Sequence, residues 1–302
     1  MLIDDLIRFC DQKYKGYGRE CSCDPCNHPS EKCSGSCYDC LYQIHYPGRF
    51  TGGKKSQYDC QKLIYHYVCE YSYIYASEIL YALNAHQDYL KEFKKYHLIS
   101  IGCGACPDLI ALEKFCNKND LNKQIQYRGY DPNPLWAPIH NRIHKYCDEN
   151  RIKYRIREKD AITYFSEYYV PEANILIVSY LISYLYNTNQ IKEIDRLFGY
   201  LVKNVVMRKQ LGLPFLIIIN DVNSNRRGRD YFRNISRELK KNGLRIEDEF
   251  RYFDNNNLNY YQRIGTPYDS KYCLFKTDDN IKRDYHILDS SCRSIQYIIE
   301  VQ

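Results

Sequence analysis

Cysteine side chains cluster near the start of the 302-residue chain, in a pattern that could bind a metal ion. Residues 21–40 read CSCDPCNHPSEKCSGSCYDC and contain six cysteines and one histidine. Cysteine thiolates and imidazole nitrogens at spacings of two to four residues form closed, tetrahedral zinc sites. The spacing does not decide which four donors bind. The predicted zinc ligands are therefore the whole set: Cys21, Cys23, Cys26, His28, Cys33, Cys37 and Cys40.

Two other uses of these cysteines fit the sequence less well. The chain has 15 cysteines, an odd number, and opens with acidic residues where a secretory signal would be basic, which disfavours a framework of disulfides. The segment CSGSCYDC has the C-x3-C-x2-C spacing of the iron–sulfur cluster in radical S-adenosylmethionine enzymes. Those enzymes need a barrel after the motif, and usually an aromatic residue before its last cysteine, where this chain has Asp39.

The elements before residue 97 are predicted to be a metal module and a helix. Residues 1–53 form the zinc-binding module, in which the metal supplies most of the folding free energy because apolar side chains are few. Residues 54–96 form a helical connector or lid. Its tyrosines Tyr67, Tyr71 and Tyr75 recur at helical spacing and are expected mainly to pack. Tyr75 and Glu78 are expected near the loop that follows the first strand.

From residue 97 onward, short apolar runs alternate with helical patterns. Strands are predicted in residues 96–102, 125–133, 152–161, 214–224, 245–256 and 270–277, and a buried fourth strand within 172–185 is predicted to run into a loop or helix. Helices are predicted in 107–119, 134–150, 189–206 and 228–244. Such alternation predicts an α/β fold over residues 97–302, with a Rossmann-like, doubly wound and mostly parallel sheet of seven strands. The last two strands are expected to pair with each other in antiparallel fashion.

The first of these strands ends in a glycine loop. Residues 98–115 read LISIGCGACPDLIALEKF, so Gly102 and Gly104 follow the strand and a helix begins shortly after. Glycine is needed where the backbone turns sharply or a ligand approaches it closely. A dinucleotide fingerprint would have a third glycine at the position of Pro107, which argues against NAD.

Two further acids follow the second and third predicted strands, as the glycine loop follows the first. Asp131 ends the second strand, where an acid holds ribose hydroxyls in folds of this kind, and Asp160 with Ala161 follows the third. Together with the glycine loop, these residues resemble the class I S-adenosylmethionine-dependent methyltransferases, over roughly residues 97–280. The resemblance implies a class I methyltransferase fold with S-adenosyl-L-methionine as cofactor. The residues implied to bind it are Gly102, Gly104, Asp108, Asp131, Asp160 and Ala161, and we add Ser179 at the end of the fourth strand.

The chemistry at the mouth of the sheet is less defined. Methyl transfer is an in-line displacement in which the enzyme mainly positions the nucleophile, and a base is needed when the acceptor must lose a proton early. The fourth strand continues as VSYLISYLYN. It lacks the Asn/Asp-Pro-Pro-aromatic turn of adenine and glutamine amino-methyltransferases, and the cysteine nucleophile of cytosine enzymes is absent too. Tyr180 and Asp221 remain as catalytic candidates, although Asp221 could equally cap the following turn.

The sequence therefore predicts an S-adenosylmethionine-dependent methyltransferase whose acceptor is undetermined. RNA is favoured weakly, through the zinc module and the arginines Arg226, Arg227 and Arg229 of a locally basic segment. The alternatives are methylation of a protein or small molecule, and a non-catalytic cofactor-binding adaptor whose zinc module holds a partner. No apolar run approaches the roughly 20 residues of a membrane helix, so a cytoplasmic protein is expected.

Overall fold

A computed structural model describes residues 1–17, 36–46, 58–170, 172–209, 212–254, 258–285, 287 and 291–302. Its helices are α1 (Leu2–Gly16), α2 (Cys37–His45), α3 (Gln61–Ala85), α4 (Gln87–Lys91), α5 (Pro107–Lys118), α6 (Ala137–Glu149), α7 (Ala161–Glu167), α8 (Leu181–Asn187), α9 (Ile191–Asn204), α10 (Arg233–Lys241) and α11 (Asp279–Asp284). Its strands are β1 (Tyr96–Ile101), β2 (Ile125–Tyr130), β3 (Lys153–Arg157), β4 (Ile175–Ser179), β5 (Phe215–Val222), β6 (Ile246–Tyr252), β7 (Thr266–Pro267) and β8 (Ser294–Val301).

The strands form one sheet in the order β3-β2-β1-β4-β5-β8-β6-β7. Strands β3, β2, β1, β4 and β5 are parallel to their neighbours, and β8 runs antiparallel between β5 and β6. The predicted fold class, a Rossmann-like, doubly wound and mostly parallel sheet of the class I methyltransferase type, is confirmed. An eighth strand is present because the two-residue β7 adds to the outer edge of β6.

The expected pairing of the last two strands was wrong. Strand β6 pairs with β8, whereas residues 270–277 contribute a single isolated bridge between Tyr272 and Ser291. The reason is burial: β8 is enclosed along nearly its whole length between β5 and β6, a place that suits the apolar run IQYIIEV. Residues near 274 instead pack on helices, where the Leu274 N–H donates to the Ser77 hydroxyl oxygen and the Leu274 carbonyl oxygen accepts from the Lys114 ammonium.

Alternate residues of the strands face two separate layers of helices. Leu98 of β1 belongs to a core with α1, α3, α5 and α6, and Ile99 faces a core with α7, α8, α9 and α10. Because successive side chains of a strand point to opposite faces, both faces of this sheet are covered. The described helices include none that is long and apolar enough to cross a bilayer.

The first helix joins the main body of the protein. The apolar face of α1, including Leu2 and Leu6, is buried in the core shared with α3, α5 and α6. The backbone N–H of Leu2 donates to the Glu113 carboxylate, and Arg142 of α6 pairs with Asp5. The division of the chain at residues 53 and 96 stays a prediction, but residues 2–16 are packed as part of the sheet's helical layer.

Two glycines give a matched test of this packing. Gly265 has φ +86°, and a Cβ there would lie 1.9 Å from the backbone oxygen of Phe250. We expect Gly265→Ala to lower the free energy of unfolding by about 1–3 kcal/mol, since backbone must move. Gly199 lies within α9, and no atom lies within 4 Å of the place of a Cβ. Because alanine favours a helix more than glycine does, Gly199→Ala should raise the free energy of unfolding by up to about 1 kcal/mol. Urea denaturation measures both, and equal effects would contradict the described packing.

Candidate functional site

The sheet has one place where the direction of strand order reverses, between β1 and β4. Strand β1 continues to β2 and β3 on one side, and β4 continues to β5 on the other. In open α/β sheets, ligands bind in the crevice at the carboxyl ends of the strands at such a switch point. We call this place the crevice, and it is bordered by the glycine loop after β1 and by Ser179 and Tyr180 after β4.

The glycine loop has a backbone that other residues adopt reluctantly. Gly102 and Gly104 have φ of +67° and +44°, in the left-handed region. A Cβ at Gly104 would lie 3.4 Å from the Trp136 indole, which closes one side of the loop. At Gly102 it would lie 3.9 Å from the backbone oxygen of Ser179, which shows how near the ends of β1 and β4 lie.

Asp131, at the end of β2, fastens this loop. Its Oδ2 accepts a hydrogen bond from the Gly104 N–H at 3.0 Å, and its Oδ1 accepts one from the Asn133 N–H at 3.0 Å. Burial raises the pKa of Asp131. Each carboxylate oxygen has two lone pairs, so both oxygens can still accept a ligand hydroxyl. The structure thus joins three of the predicted residues: Gly102, Gly104 and Asp131.

The other predicted cofactor residues lie in different surroundings. Asp108 is buried in α5, where its Oδ1 accepts hydrogen bonds from the Tyr127 hydroxyl and the Leu109 N–H, and burial raises its pKa to about 7. Asp160 is exposed and caps α7 through Thr163, with Ala161 buried behind it. Helix α7 also forms one wall of a cavity of about 990 Å³ against α6, at the outer edge of β3.

A row of aromatic side chains crosses the crevice. Tyr67, Tyr71 and Tyr75 occupy one face of α3, and we call them with Tyr180 the tyrosine wall. Tyr67 lies 5.6 Å from the Trp136 ring, Tyr71 stacks on Tyr75 at 5.4 Å, and Tyr75 lies 4.3 Å from Tyr180. All four wall residues are half-buried, so they pack on each other and still present surface to the crevice.

The wall stays uncharged at neutral pH. Burial raises the pKa of each of the four tyrosines, and neighbouring acids and phenols add to the effect. At one end His45 of α2 lies 4.8 Å from the Tyr71 ring, and burial lowers its pKa to about 4, so the imidazole is neutral too. The result is a neutral aromatic surface beside the glycine loop.

Tyr180, one catalytic candidate, is held by a buried acid. It adopts φ +55°, which is uncommon for an aromatic residue, and its hydroxyl donates to Glu78 Oε2 at 2.7 Å. Glu78 is fully buried and also accepts hydrogen bonds from the Asn220 side chain and the backbone N–H groups of Arg293 and Ser294. Tyr180 is therefore a protonated phenol whose proton is held by Glu78, so at the crevice it is suited to position a ligand and not to act as a base.

Asp221, the other catalytic candidate, serves a structural contact in this conformation. It is 1% exposed. Its Oδ2 accepts from the Ser183 N–H at 3.0 Å, in the first turn of α8, and its Oδ1 accepts from the Val222 N–H at 2.7 Å. The sequence suggested that Asp221 could cap the turn after β5, whereas its hydrogen bond with Ser183 is made to the first turn of α8. A catalytic role for Asp221 stays a prediction.

Most of the predicted zinc ligands lie outside the described residues, namely Cys21, Cys23, Cys26, His28 and Cys33. Cys37 and Cys40 are described and lie in the first turns of α2, three residues apart. They are buried in a small cluster with Leu41, Leu63 and Cys60, the residue before α3. The zinc module stays a prediction, and Cys60 is a cysteine near it that the sequence pattern did not indicate.

The three predicted RNA-binding arginines do not share one surface. Arg229 is 5% exposed and donates to Asn223 and to the backbone oxygen of Tyr261. Arg227 donates to the backbone oxygen of His45 at 2.9 Å. Arg226 is exposed. Two of the three therefore hold loops together, and RNA binding through them stays a prediction.

Within the described ranges, one group of side chains could hold a metal ion: Cys103, Cys106 and His140. Cys103 lies between the two glycines of the loop, Cys106 precedes α5, and His140 lies on α6. The sequence pattern did not indicate this group. The signal that could have found it is the two-residue spacing of Cys103 and Cys106.

No family model and no curated protein matches the sequence. Solved structures are similar to it. One is a putative class I S-adenosylmethionine-dependent methyltransferase from Listeria monocytogenes, 13% identical, with 86% of this chain and 65% of that chain covered at a TM-score of 0.43. Another is magnesium protoporphyrin IX methyltransferase from Synechocystis PCC 6803, 10% identical, with 90% and 92% covered at 0.41.

A third is geranyl diphosphate C-methyltransferase from Streptomyces coelicolor A3(2), 10% identical, with 73% of this chain and 79% of that chain covered at a TM-score of 0.37. At these identities and TM-scores, the three proteins give no information on what this chain binds. The function is therefore inferred from the residues of the crevice.

The buried Asp221 gives a pH dependence of known sign. Its pKa is about 6 in the folded protein against 3.8 for an ordinary aspartate, because of burial. The folded state then binds more protons than the unfolded state between these values. The stabilising contribution of Asp221 is fully present below about pH 4. It is lost as pH rises towards 6, which lowers the free energy of unfolding by up to about 3 kcal/mol. Asp221→Asn should remove that fall, measured as urea denaturation at pH 4 to 7.

The control for this measurement is Asp230→Asn, because Asp230 is 65% exposed on the following segment. Its stability curve should run parallel to that of the unaltered protein. If the Asp221→Asn curve also ran parallel, Asp221 would titrate normally and the description of its burial would be wrong.

Proposed function

We propose that this protein is an S-adenosylmethionine-dependent methyltransferase. The observation that carries the proposal is the fastening of a left-handed glycine loop to an acid at the switch point of the sheet, where the Gly104 N–H donates to Asp131. When bound, S-adenosylmethionine supplies a methyl group on a positively charged sulfur. The glycines leave the backbone of the loop without side chains, so the cofactor can approach it closely. A side chain at Gly104 would also press on Trp136.

The residues proposed to hold the cofactor follow from their places. Asp131 would accept hydrogen bonds from ribose hydroxyls, with its orientation fixed by two backbone N–H groups. Gly102, Gly104 and Ser179 border the crevice at its centre. Asp160 and Ala161, which start α7 beyond β3, would contact the base. Asp108 would contribute indirectly, from below the crevice, through the hydrogen bond that it accepts from the Tyr127 hydroxyl.

The tyrosine wall supports an acceptor with apolar or ring-shaped surface. Its phenols are neutral and half-buried, and faces of neutral aromatic rings attract both flat apolar molecules and a cationic sulfur. RNA would call for an exposed basic surface near the crevice, whereas Arg227 and Arg229 are engaged in loop contacts. We therefore propose a small molecule as acceptor, with Tyr180 as a positioning group held by Glu78.

Cofactor binding can be tested by calorimetric titration of S-adenosylmethionine into the full chain. We expect Asp131→Ala to weaken binding about 10- to 100-fold, since a hydrogen bond to a charged group contributes about 1.5–3 kcal/mol. The control is Asp230→Ala, which removes an exposed carboxylate. Near-ultraviolet circular dichroism checks that both variants are folded. Absence of binding to the unaltered protein would overturn the proposal and favour an adaptor without cofactor.

The acceptor class can be tested by following release of S-adenosylhomocysteine with small ring-bearing molecules and with RNA. We expect turnover with small acceptors that changes little with salt. We expect Tyr71→Leu to raise the acceptor KM about 2- to 12-fold, since an aromatic contact contributes about 0.5–1.5 kcal/mol. The control is Tyr272→Leu, at a tyrosine that is 70% exposed. Turnover with RNA alone, falling steeply as salt rises, would contradict a small acceptor.

A further inference from the structure

Cys103, Cys106 and His140 come together from two elements beneath the crevice. The Cys106 N–H donates to the Cys103 carbonyl at 2.7 Å, which closes a turn and brings the two thiols to the same side. One ring nitrogen of His140 and both sulfurs lie within 4.8 Å of one another. The three side chains are 2%, 0% and 5% exposed, so the group is enclosed by protein.

The histidine has the hydrogen bonding of a metal ligand. Its Nε2 lies 2.7 Å from the carbonyl oxygen of Gly104, and because a carbonyl can only accept, Nε2 carries the proton. Its Nδ1 is buried, and the other side-chain contact of the imidazole is with the Cys106 thiol. A metal-binding histidine almost always donates its other N–H to a carbonyl or carboxylate, which fixes the ring and leaves the second nitrogen for the ion. The second nitrogen of His140 thus faces a sulfur that can itself be a metal ligand.

The space around the thiols is also built for them. A Cβ on Gly129 of β2 would lie 2.6 Å from the Cys103 sulfur, so the side chain of Cys103 occupies room that only glycine leaves. The Tyr154 hydroxyl lies 3.6 Å from the Cys106 sulfur, and its ring stacks on Tyr127 to form a wall.

From these observations we propose that Cys103, Cys106 and His140 bind a zinc ion that fastens the glycine loop to α6. Two thiolates and an imidazole are a donor set that zinc prefers. With Zn–S about 2.3 Å and Zn–N about 2.0–2.1 Å, ligand atoms on a tetrahedral ion stand about 3.5–3.8 Å apart, so the group needs to contract by no more than about 1.3 Å. Water can fill the fourth position.

This site is separate from the predicted zinc module. The two cysteines follow β1 and the histidine lies on α6, whereas the predicted module ends at residue 53. Two simpler uses of the same cysteines are a disulfide between Cys103 and Cys106, and plain packing of buried thiols. A disulfide would leave the Nδ1 of His140 without a donor, whereas in plain packing the Cys106 thiol would donate to it. The zinc content of the protein separates metal binding from both.

The test is the zinc content of the full chain, purified without chelator or added reductant and measured by plasma mass spectrometry. The N-terminal cysteines can add zinc of their own, so the result is read as a difference between variants. We expect Cys106→Ser and His140→Gln each to lower the content by one zinc per chain. The controls are Cys116→Ser, a buried cysteine of α5, and His144→Gln, an exposed histidine one turn along α6. Both should keep the full content.

The proposal is overturned if folded Cys106→Ser and His140→Gln retain all the zinc, or if mass spectrometry of the alkylated protein shows a Cys103–Cys106 disulfide. If these variants do not fold, crystals of the unaltered protein decide. Anomalous scattering at the zinc edge should give a peak between the three side chains, and its absence would overturn the proposal. Zinc content is measured without S-adenosylmethionine, so its outcome does not depend on the proposed activity.

Discussion

A carboxylate removed from water needs hydrogen-bond donors around it. Glu78 meets this need with donors from several elements, and the hydrogen bonds join those elements to α3. Its side chain is fully buried, and burial raises its pKa. It accepts hydrogen bonds from the Tyr180 hydroxyl after β4, the Asn220 amide of β5, and two backbone N–H groups at the start of β8. Leaving a buried hydrogen-bonding group unsatisfied costs about 1–3 kcal/mol, and more when the group is charged. Helix α3 is therefore fixed across the carboxyl ends of β4 and β5 and the amino end of the antiparallel β8.

That position of α3 decides what faces the crevice. Glu78 lies three residues after Tyr75, on the same side of the helix, so fixing one also fixes the other. Tyr75 then meets Tyr180 at 4.3 Å, and the rings of Tyr71 and Tyr67 continue the row towards Trp136. The left-handed backbone of Tyr180 is explained in the same way, because its hydroxyl reaches Glu78 from that conformation. One buried acid thus sets both the packing and the lining of the crevice.

Much of the fold could be predicted from the sequence because it depends on local patterns. Apolar runs ending in glycine or an acid marked β1 and β2, and with them the places of Gly104 and Asp131 at the ends of these strands. The hydrogen bond between these two residues was seen only in the structure. The pairing of β6 could not be predicted, since which of two late segments fills the gap beside β5 depends on burial in the finished sheet. The buried hydrogen bonds of Asp221 and Arg229 could not be predicted for a related reason, because the partners of both charged side chains lie on other elements.

Gly104 connects the two proposed ligand sites. Its N–H donates to Asp131, which would hold ribose, and its carbonyl accepts from the histidine that would hold zinc. These two groups belong to adjacent rigid peptide planes that meet at the Gly104 Cα, so holding both planes restricts the φ and ψ of this glycine. An ion on Cys103, Cys106 and His140 would therefore hold the glycine loop in the conformation that orients Asp131. This explains why two cysteines lie in a loop that also contains glycines. Glycines leave the backbone flexible, and a metal bound by the cysteines would restrict it.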